Sequence, residues 1–194
     1  LVSRNGDDFF FLTNEERDVA REIGHVEVSA AEKSRLLAEL IYDEIFNGVT
    51  KVRHRDTKTD YEFNRLLDGV PWKQANQQLT LEVLSPVSGD YELMTEAKCI
   101  GRSAEGAGRA ILRMANDARV DVELRTYVQI EKYISGPKTD AATPSLKRIL
   151  LDRKDENRER KTRILAQLAD QLSRGDFYAL GQKLTLKPQG PSVI

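Results

Sequence analysis

One stretch of this sequence has the glycine spacing of a loop that binds nucleotide phosphates. Residues 101–106 read Gly-Arg-Ser-Ala-Glu-Gly, which matches the first half of a Walker A motif. In that motif a lysine and a serine or threonine follow the second glycine, where they contact the phosphates and the magnesium ion. Ala107 and Gly108 stand at those positions, so the counter-charge and the metal ligand are both missing. We therefore interpret the stretch as a flexible loop between strands.

Metal binding and nucleophilic catalysis also lack the residues that they require. His25 and His54 are the only histidines, their spacing matches no zinc motif, and Cys99 is the only cysteine. Cys99 lies beside Ile100 in a segment that alternates like a strand, which indicates an inert thiol in the core. The many carboxylates fall at helix starts or on polar helix faces, where the helix dipole and solvation account for them. The sequence predicts no catalytic residue, metal site or cofactor site.

Basic side chains in two places are suited to contacts with a nucleic acid or a protein partner. Lys51, Arg53 and Arg55, here called the edge group, alternate along a possible strand edge. A β-hairpin that leads into a helix is also how the wing of a winged-helix module ends, and such wings contact the phosphate backbone. The tip of the hairpin predicted below carries Asp7 and Asp8, which repel phosphate. Phosphate contact by that hairpin is therefore opposed by its own charge.

The second concentration of basic side chains lies in a long predicted helix. Residues 147–163 hold eight basic side chains against four acidic ones. The candidates for partner or nucleic-acid contact, here called the helix group, are Arg153, Lys154, Arg158, Arg160 and Lys161. The alternative is that the basic and acidic residues pair along the helix, as in Glu156–Arg160 and Glu159–Arg163. Both interpretations stay open at the level of sequence.

The composition is that of a globular protein. The 194 residues are 31% charged and 40% hydrophobic, and no apolar run approaches the roughly 20 residues that cross a bilayer. A single cysteine excludes an internal disulfide, so we expect a reducing, cytoplasmic location. The net charge of −1 hides a split: residues 1–97 have 11 basic and 19 acidic side chains, and residues 98–194 have 19 and 12. The opening Leu1-Val2 is typical of a strand already under way, which predicts a piece of a longer protein.

The N-terminal part predicts a β-hairpin and two helices. Asn5-Gly6 is a two-residue turn signal between the arms 1–4 and 7–12. Two capping boxes, Thr13–Glu16 and Ser29–Glu32, each start a helix. The first helix ends at Gly24 and the second at Asn47-Gly48. Their predicted buried residues are Val19, Ala20 and Ile23, then Leu36, Leu37, Leu40, Ile41 and Ile45.

The remaining chain predicts strands followed by a long helix. Alternation predicts strands at 79–83 and, more weakly, at 91–99, and an apolar run predicts another at 110–114. Residues 118–134 fit both a strand and a helix, and their length favours the helix. After a polar linker from Gly136 to Pro144, residues 145–174 predict a helix whose centre, 152–163, has no apolar residue. That centre is expected to be exposed or to bridge two packed ends. Residues 177–186 predict a returning strand or a short helical turn.

Several blocks in order along the chain resemble the large P-loop protein of bacterial BREX phage-exclusion systems. The most distinctive block is Phe-Leu-Thr-Asn-Glu-Glu, which ends at Glu16. The blocks that carry the resemblance are 10–16, Glu22-Ile23, 63–69, Glu105-Gly106, 127–133 and 178–184. Together they extend over almost the whole chain.

The resemblance implies a parent protein that binds ATP and magnesium in an N-terminal ATPase module and acts in phage defence within a multi-protein assembly. It implies no catalytic residue here, because the nucleotide motifs lie outside these 194 residues. We expect an α+β fold with a winged-helix-like hairpin and helix (1–24), an α+β domain (25–136), and a linker, long charged helix and returning strand (137–194). The expected function is a non-catalytic scaffold that binds BREX components or itself, and the alternatives are a DNA-binding module or an autonomous enzyme.

Overall fold

The computed structural model describes the backbone of residues 2–5 and 8–11, and in full residues 13–73, 76–105, 108–117, 119–136 and 142–185. These residues form five α-helices and nine β-strands, which confirms the predicted α+β class. The chain divides into two compact units. We call Leu1–Lys33 with Asp121–Ile164 the helical unit, and Ser34–Val120 with Leu165–Ile194 the sheet unit. The domain boundaries after residues 24 and 136 stay predictions.

The chain begins with the predicted hairpin. Strand β1 (Val2–Asn5) pairs antiparallel with strand β2 (Asp8–Phe11). Asn5 lies in β1 as the partner of Asp8, so the turn predicted at Asn5-Gly6 is wrong by one residue. Residues 6–7, between the two strands, lie outside the described residues. The winged-helix assignment of this hairpin stays a prediction.

Helix α1 (Asn14–Gly24) starts at the predicted capping box. The Thr13 N–H donates to the Glu16 carboxylate over 2.6 Å, and the Glu16 N–H donates to the Thr13 hydroxyl over 3.2 Å. These bonds to Thr13 lower the pKa of the Glu16 carboxyl. Two of the helix's first unpaired N–H groups are satisfied in this way.

Thr13→Ala is expected to lower the free energy of unfolding by about 1 kcal/mol, because the first turn of α1 loses its side-chain cap. Thr95→Ala is the matched control: Thr95 has the same backbone angles at the start of a helix, φ −64° and ψ 165°, but its side chain makes no capping bond. Urea denaturation of both variants measures the difference. Equal losses of unfolding free energy in the two variants would contradict the assignment of Thr13 as a stabilising helix cap.

Helix α2 (Ala30–Glu39) starts at the second capping box and continues into a π-helical turn, Leu40–Ile45. A π turn contains more residues than an α turn, so the buried side chains depart from a regular helical stripe. Those buried are Leu37, Ala38, Leu40, Ile41 and Tyr42. Asn47 and Gly48 end the segment at positive φ (53° and 67°), as their residue types predict.

The sheet unit contains a seven-stranded mixed sheet in the order β3-β4-β6-β7-β8-β9, with β5 paired to β4. Strands β4, β6 and β7 are parallel, and the other pairings are antiparallel. The strands are β3 (Lys51–Arg53), β4 (Asp60–Leu67), β5 (Val70–Pro71), β6 (Leu79–Leu84), β7 (Arg109–Arg113), β8 (Asp176–Ala179) and β9 (Gln182–Leu184). The strands predicted at 79–83 and 110–114 are therefore confirmed, and the predicted returning segment is a hairpin as far as residue 184.

The strand predicted at 91–99 is wrong. That segment forms a 3-10 turn (Tyr91–Leu93) and the start of helix α3 (Glu96–Ala104). Cys99 and Ser103, which are four residues apart, are both buried on one face of α3. Over so short a stretch, the alternation of apolar and polar residues fits both a strand and one face of a helix, and tertiary packing decides between strand and helix.

Helices α4 (Arg119–Ile134) and α5 (Pro144–Ser173) confirm the two helices predicted in the second half. The core of the helical unit is a cluster of Val19, Ile23, Ile130 and Ile149. Ala20 was predicted to join this core but is exposed, so the apolar face of α1 is narrower than expected. Most of the predicted linker, residues 137–141, lies outside the described residues. None of the helices in the described ranges is both long and apolar enough to cross a membrane.

Candidate functional site

The edge group lies at one end of the main sheet. Lys51 and Arg53 are exposed on β3, the terminal strand of the sheet order, and Arg55 is exposed in the turn that follows. Asp60 on β4 is close to both strand residues: Lys51 Nζ lies 3.1 Å from Asp60 Oδ2, and Arg53 Nε lies 4.0 Å from Asp60 Oδ1. The positive charge of this edge is therefore partly neutralised in the folded protein.

Apolar side chains are exposed beside the edge group. Val49, Val52 and Tyr61 are 45%, 51% and 41% exposed, and Val52 is the cross-strand partner of Tyr61. The Tyr61 ring lies edge-on to the His54 ring, with centroids 6.4 Å apart. The Thr57 N–H donates to His54 Nδ1 over 3.3 Å, which gives this imidazole a role in the turn. The edge thus combines apolar, aromatic and partly neutralised basic groups.

The helix group lies in the helical unit, so the structure places the two predicted groups in different units. Three of its members contact carboxylates: Arg153 with Glu156 at 2.7 Å, Arg158 with Asp155 at 3.6 Å, and Arg160 with Glu123 at 3.1 Å. Lys154 is exposed and Lys161 is half-buried. Pairing with carboxylates, which was the alternative at the sequence level, describes most of this group, although the partners differ from the predicted ones.

The polar centre of α5 makes side-chain contacts with the neighbouring helix α4. Asn157 is fully buried and donates to the Tyr127 carbonyl over 3.2 Å and to Glu131 Oε1 over 2.8 Å. The half-buried Arg160 reaches Glu123 on the same neighbouring helix, α4. The prediction of an exposed or bridging centre is therefore wrong at these positions. A sequence without apolar residues packs there because side-chain hydrogen bonds and an ion pair satisfy part of the buried polar groups, whereas Asn157 Oδ1 and Arg160 Nη1 are buried without a hydrogen-bond partner.

A buried ion cluster in the sheet unit is the main feature that sequence reasoning missed. Glu82, in β6, is fully buried. Arg102 Nη2 lies 2.8 Å from Glu82 Oε1, and Arg109 Nη1 lies 3.5 Å from Glu82 Oε2. Burial raises the pKa of the Glu82 carboxyl, and the two guanidinium groups offset part of that effect. The cluster connects β6 to α3 and β7, which indicates a structural role.

A second polar cluster surrounds Asp43 in the π-helical turn. The Trp72 indole N–H donates to Asp43 Oδ1 over 3.3 Å, and the Lys73 ammonium donates to Asp43 Oδ2 over 2.9 Å. The buried Arg65 reaches the same carboxylate at 3.4 Å. Burial acts to raise the pKa of Asp43, but the bonds from Lys73 and Trp72 outweigh it and the pKa is lowered. Asp43 is therefore a charged anchor between the turn and β4–β5.

The residues that the sequence analysis considered for catalysis or phosphate binding lie in the core or in a helix. Cys99 is a fully buried free thiol whose pKa is raised by burial, which disfavours the nucleophilic thiolate. Residues 101–104 belong to helix α3, so the loop predicted there is wrong, and residues 106–107 lie outside the described residues. Within the described part of the chain, no three His, Cys, Asp or Glu side chains converge as metal ligands.

Comparison with known proteins supplies the family. A family model described as "BREX ATP-binding protein BrxC 4th domain with six-stranded beta sheet" matches residues 26–194. The six strands on the path from β3 to β9 agree with that description. The match confirms the resemblance that the sequence blocks indicated. No solved structure matches the chain.

Proposed function

We propose that this chain, which belongs to the fourth-domain family of the BREX ATP-binding protein BrxC, is a non-catalytic coupling domain of a phage-defence assembly. In this proposal the domain binds other BREX components or further copies of itself. ATP and magnesium are bound elsewhere in the parent protein, and this domain transmits the nucleotide state to its partners.

The observation that carries the proposal is the exposed edge of the main sheet. All three residues of β3 are exposed at the end of the sheet order. Val52 and Tyr61 add apolar surface at this edge. An exposed edge strand offers backbone donors and acceptors to a strand from another protein, and apolar side chains add affinity to such pairing. We therefore assign the β3 edge as the partner-binding surface.

The charges at this edge favour a protein partner over a nucleic acid. Phosphate binding draws its affinity from basic side chains that release counterions. Lys51 and Arg53 already share Asp60, so a phosphate competes with an existing carboxylate. A protein strand with mixed polar and apolar side chains faces no such competition.

Val52→Glu is expected to weaken binding to a protein partner at least about tenfold, because a charge replaces an apolar contact at the centre of the edge. Biolayer interferometry of the immobilised chain against each purified BREX component measures the affinity. Val122→Glu is the matched control, since Val122 is a similarly exposed valine (62%) on α4. Equal binding by both variants would remove the β3 edge from the proposal.

DNA binding by the helix group is the second candidate, favoured by the excess of eight basic over four acidic side chains in residues 147–163. Such binding would weaken steeply as salt rises. Because three of the five basic residues contact carboxylates, we expect a flat fluorescence-anisotropy titration with duplex DNA at low salt. Saturable, salt-dependent binding that is weakened by Lys154→Gln with Arg158→Gln would instead favour the DNA module.

A further inference from the structure

A cavity lies where the parallel part of the main sheet ends. Strands β4, β6 and β7 are parallel, so their carboxyl ends meet at one edge of the sheet, where open α/β sheets commonly bind ligands. The cavity has a volume of about 410 Å³, within the range of small-molecule sites. It is lined by the end of β7 and the residues after it, by the 3-10 turn at Tyr91, and by the connection from α5 to β8.

Arg113, the last residue of β7, is a half-buried cation in the lining of this cavity. Its guanidinium carbon lies 4.1 Å from the centroid of the Tyr91 ring. Tyr91 is itself buried, and its hydroxyl donates to the Met114 carbonyl. Stacking on a fixed ring orients the planar guanidinium before any ligand binds.

Arg113 makes no ion pair within the described residues, although Asp176 is its cross-strand partner on β8. No carboxylate among them lies at ion-pair distance, and the buried Arg113 Nε has no hydrogen-bond partner. A cation that loses part of its hydration without a partner carries a free-energy cost, which a bound anion removes. The guanidinium stacks on the Tyr91 ring, but its Nε–H has no acceptor among the described residues.

The other charged groups of the lining already have partners. Asp176 contacts Lys183 at 2.8 Å, and Arg174 is paired with Asp170. The Glu92 carboxylate accepts a hydrogen bond from the Asn116 amide over 3.1 Å. Glu92 and Asp176 therefore have their own donors, and Arg113 is left as the cation available to an incoming ligand.

We propose that this cavity binds the oxyanion group of a small molecule, a carboxylate or a phosphate, with Arg113 as the charged donor. A guanidinium presents paired N–H groups that match both kinds of oxyanion in a two-bond geometry. The site is distinct from the β3 edge and does not depend on the partner-binding proposal.

The test titrates the full chain with inorganic phosphate in one arm and with succinate in the other. The readout is the NMR signal of the Arg113 Nε–H, together with calorimetry. We expect saturable binding in at least one arm, and the arm that binds identifies the oxyanion. Arg113→Gln is expected to reduce the affinity about tenfold or more, and Arg174→Gln, a second arginine of the lining, to change it less than about twofold.

Three outcomes would overturn the proposal: no saturable shift in either arm, equal loss in both variants, or a shift that spares the Arg113 signal in the unmodified chain. If Arg113→Gln does not fold, Arg113→Lys replaces it, because lysine keeps the charge but not the paired N–H geometry. The Arg113→Lys variant is expected to bind the oxyanion more weakly than the unmodified chain, but still measurably. Unchanged affinity in Arg113→Lys would also count against the assigned geometry.

Discussion

Arg102→Met is expected to lower the free energy of unfolding by about 3 kcal/mol at neutral pH, because it leaves the buried Glu82 carboxylate with only the more distant Arg109. Arg102 Nη2 is 2.8 Å from Glu82, whereas Arg109 Nη1 is 3.5 Å away. Methionine retains most of the aliphatic stem, so the lost interaction is mainly that of the charge. Urea denaturation measures the change.

The loss in Arg102→Met is expected to depend on pH. Burial already raises the pKa of Glu82 above its ordinary value of 4.5, and removal of Arg102 raises it further. Above the folded-state pKa of Glu82 the carboxylate is ionised, so the variant has a lower free energy of unfolding than the unmodified protein. As the pH falls through that pKa towards 4.5, the folded protein takes up the proton first, and the difference between the two proteins shrinks.

The control for this prediction is the same substitution in a Glu82→Gln background. Without the carboxylate, the loss of Arg102 is expected to cost less than about 1 kcal/mol, and the pH dependence of the difference disappears. If Arg102→Met costs the same in both backgrounds, the Glu82–Arg102 contact is not the source of the effect.

Gly175→Ala is expected to destabilise the protein by about 2–3 kcal/mol, because the site has no room for a methyl group. A Cβ at residue 175 would lie 2.7 Å from the Arg113 carbonyl oxygen and 3.2 Å from that of Leu172. Both atoms belong to the backbone, so relief requires β7 or the end of α5 to shift. Thermal and urea denaturation measure the loss.

Gly101→Ala is the matched control for Gly175→Ala. Gly101 lies inside helix α3, and a Cβ there meets no atom within 4 Å. Alanine is expected to stabilise this helix by about 0.5–1 kcal/mol, since glycine is a poor helix former. The two substitutions add the same atom and are expected to have opposite signs. A stabilised Gly175→Ala variant would contradict the close approach that the structure shows.

Local sequence signals predicted the elements whose stability is local. The capping boxes at Thr13 and Ser29 start helices where expected, because two reciprocal hydrogen bonds define the first turn without any distant contact. The strand at 79–83 and the helix α5 follow from periodicity and length. The strand prediction for residues 91–99 was wrong because contacts of α3 with β7 and β8 decide which of its residues are buried. A local sequence pattern does not contain that information.

The buried polar clusters and the pairing of the edge group were harder to predict from the sequence than the fold. Glu82 occupies a polar position in an alternating strand, so the pattern assigns it to solvent, whereas the arginines of α3 and β7 cover it. Asn157 was assigned to an exposed helix centre for the same reason. The edge group was predicted because alternation along β3 is a local pattern, but its pairing with Asp60 depends on the strand register.

Sedimentation velocity of this chain, alone and mixed with each purified BREX component, tests the coupling role most directly. The proposal predicts a faster-sedimenting species, either with at least one component or by self-association. The contradictory result is a strict monomer in every mixture. ATP hydrolysis by the isolated chain that survives repurification would equally exclude a non-catalytic role.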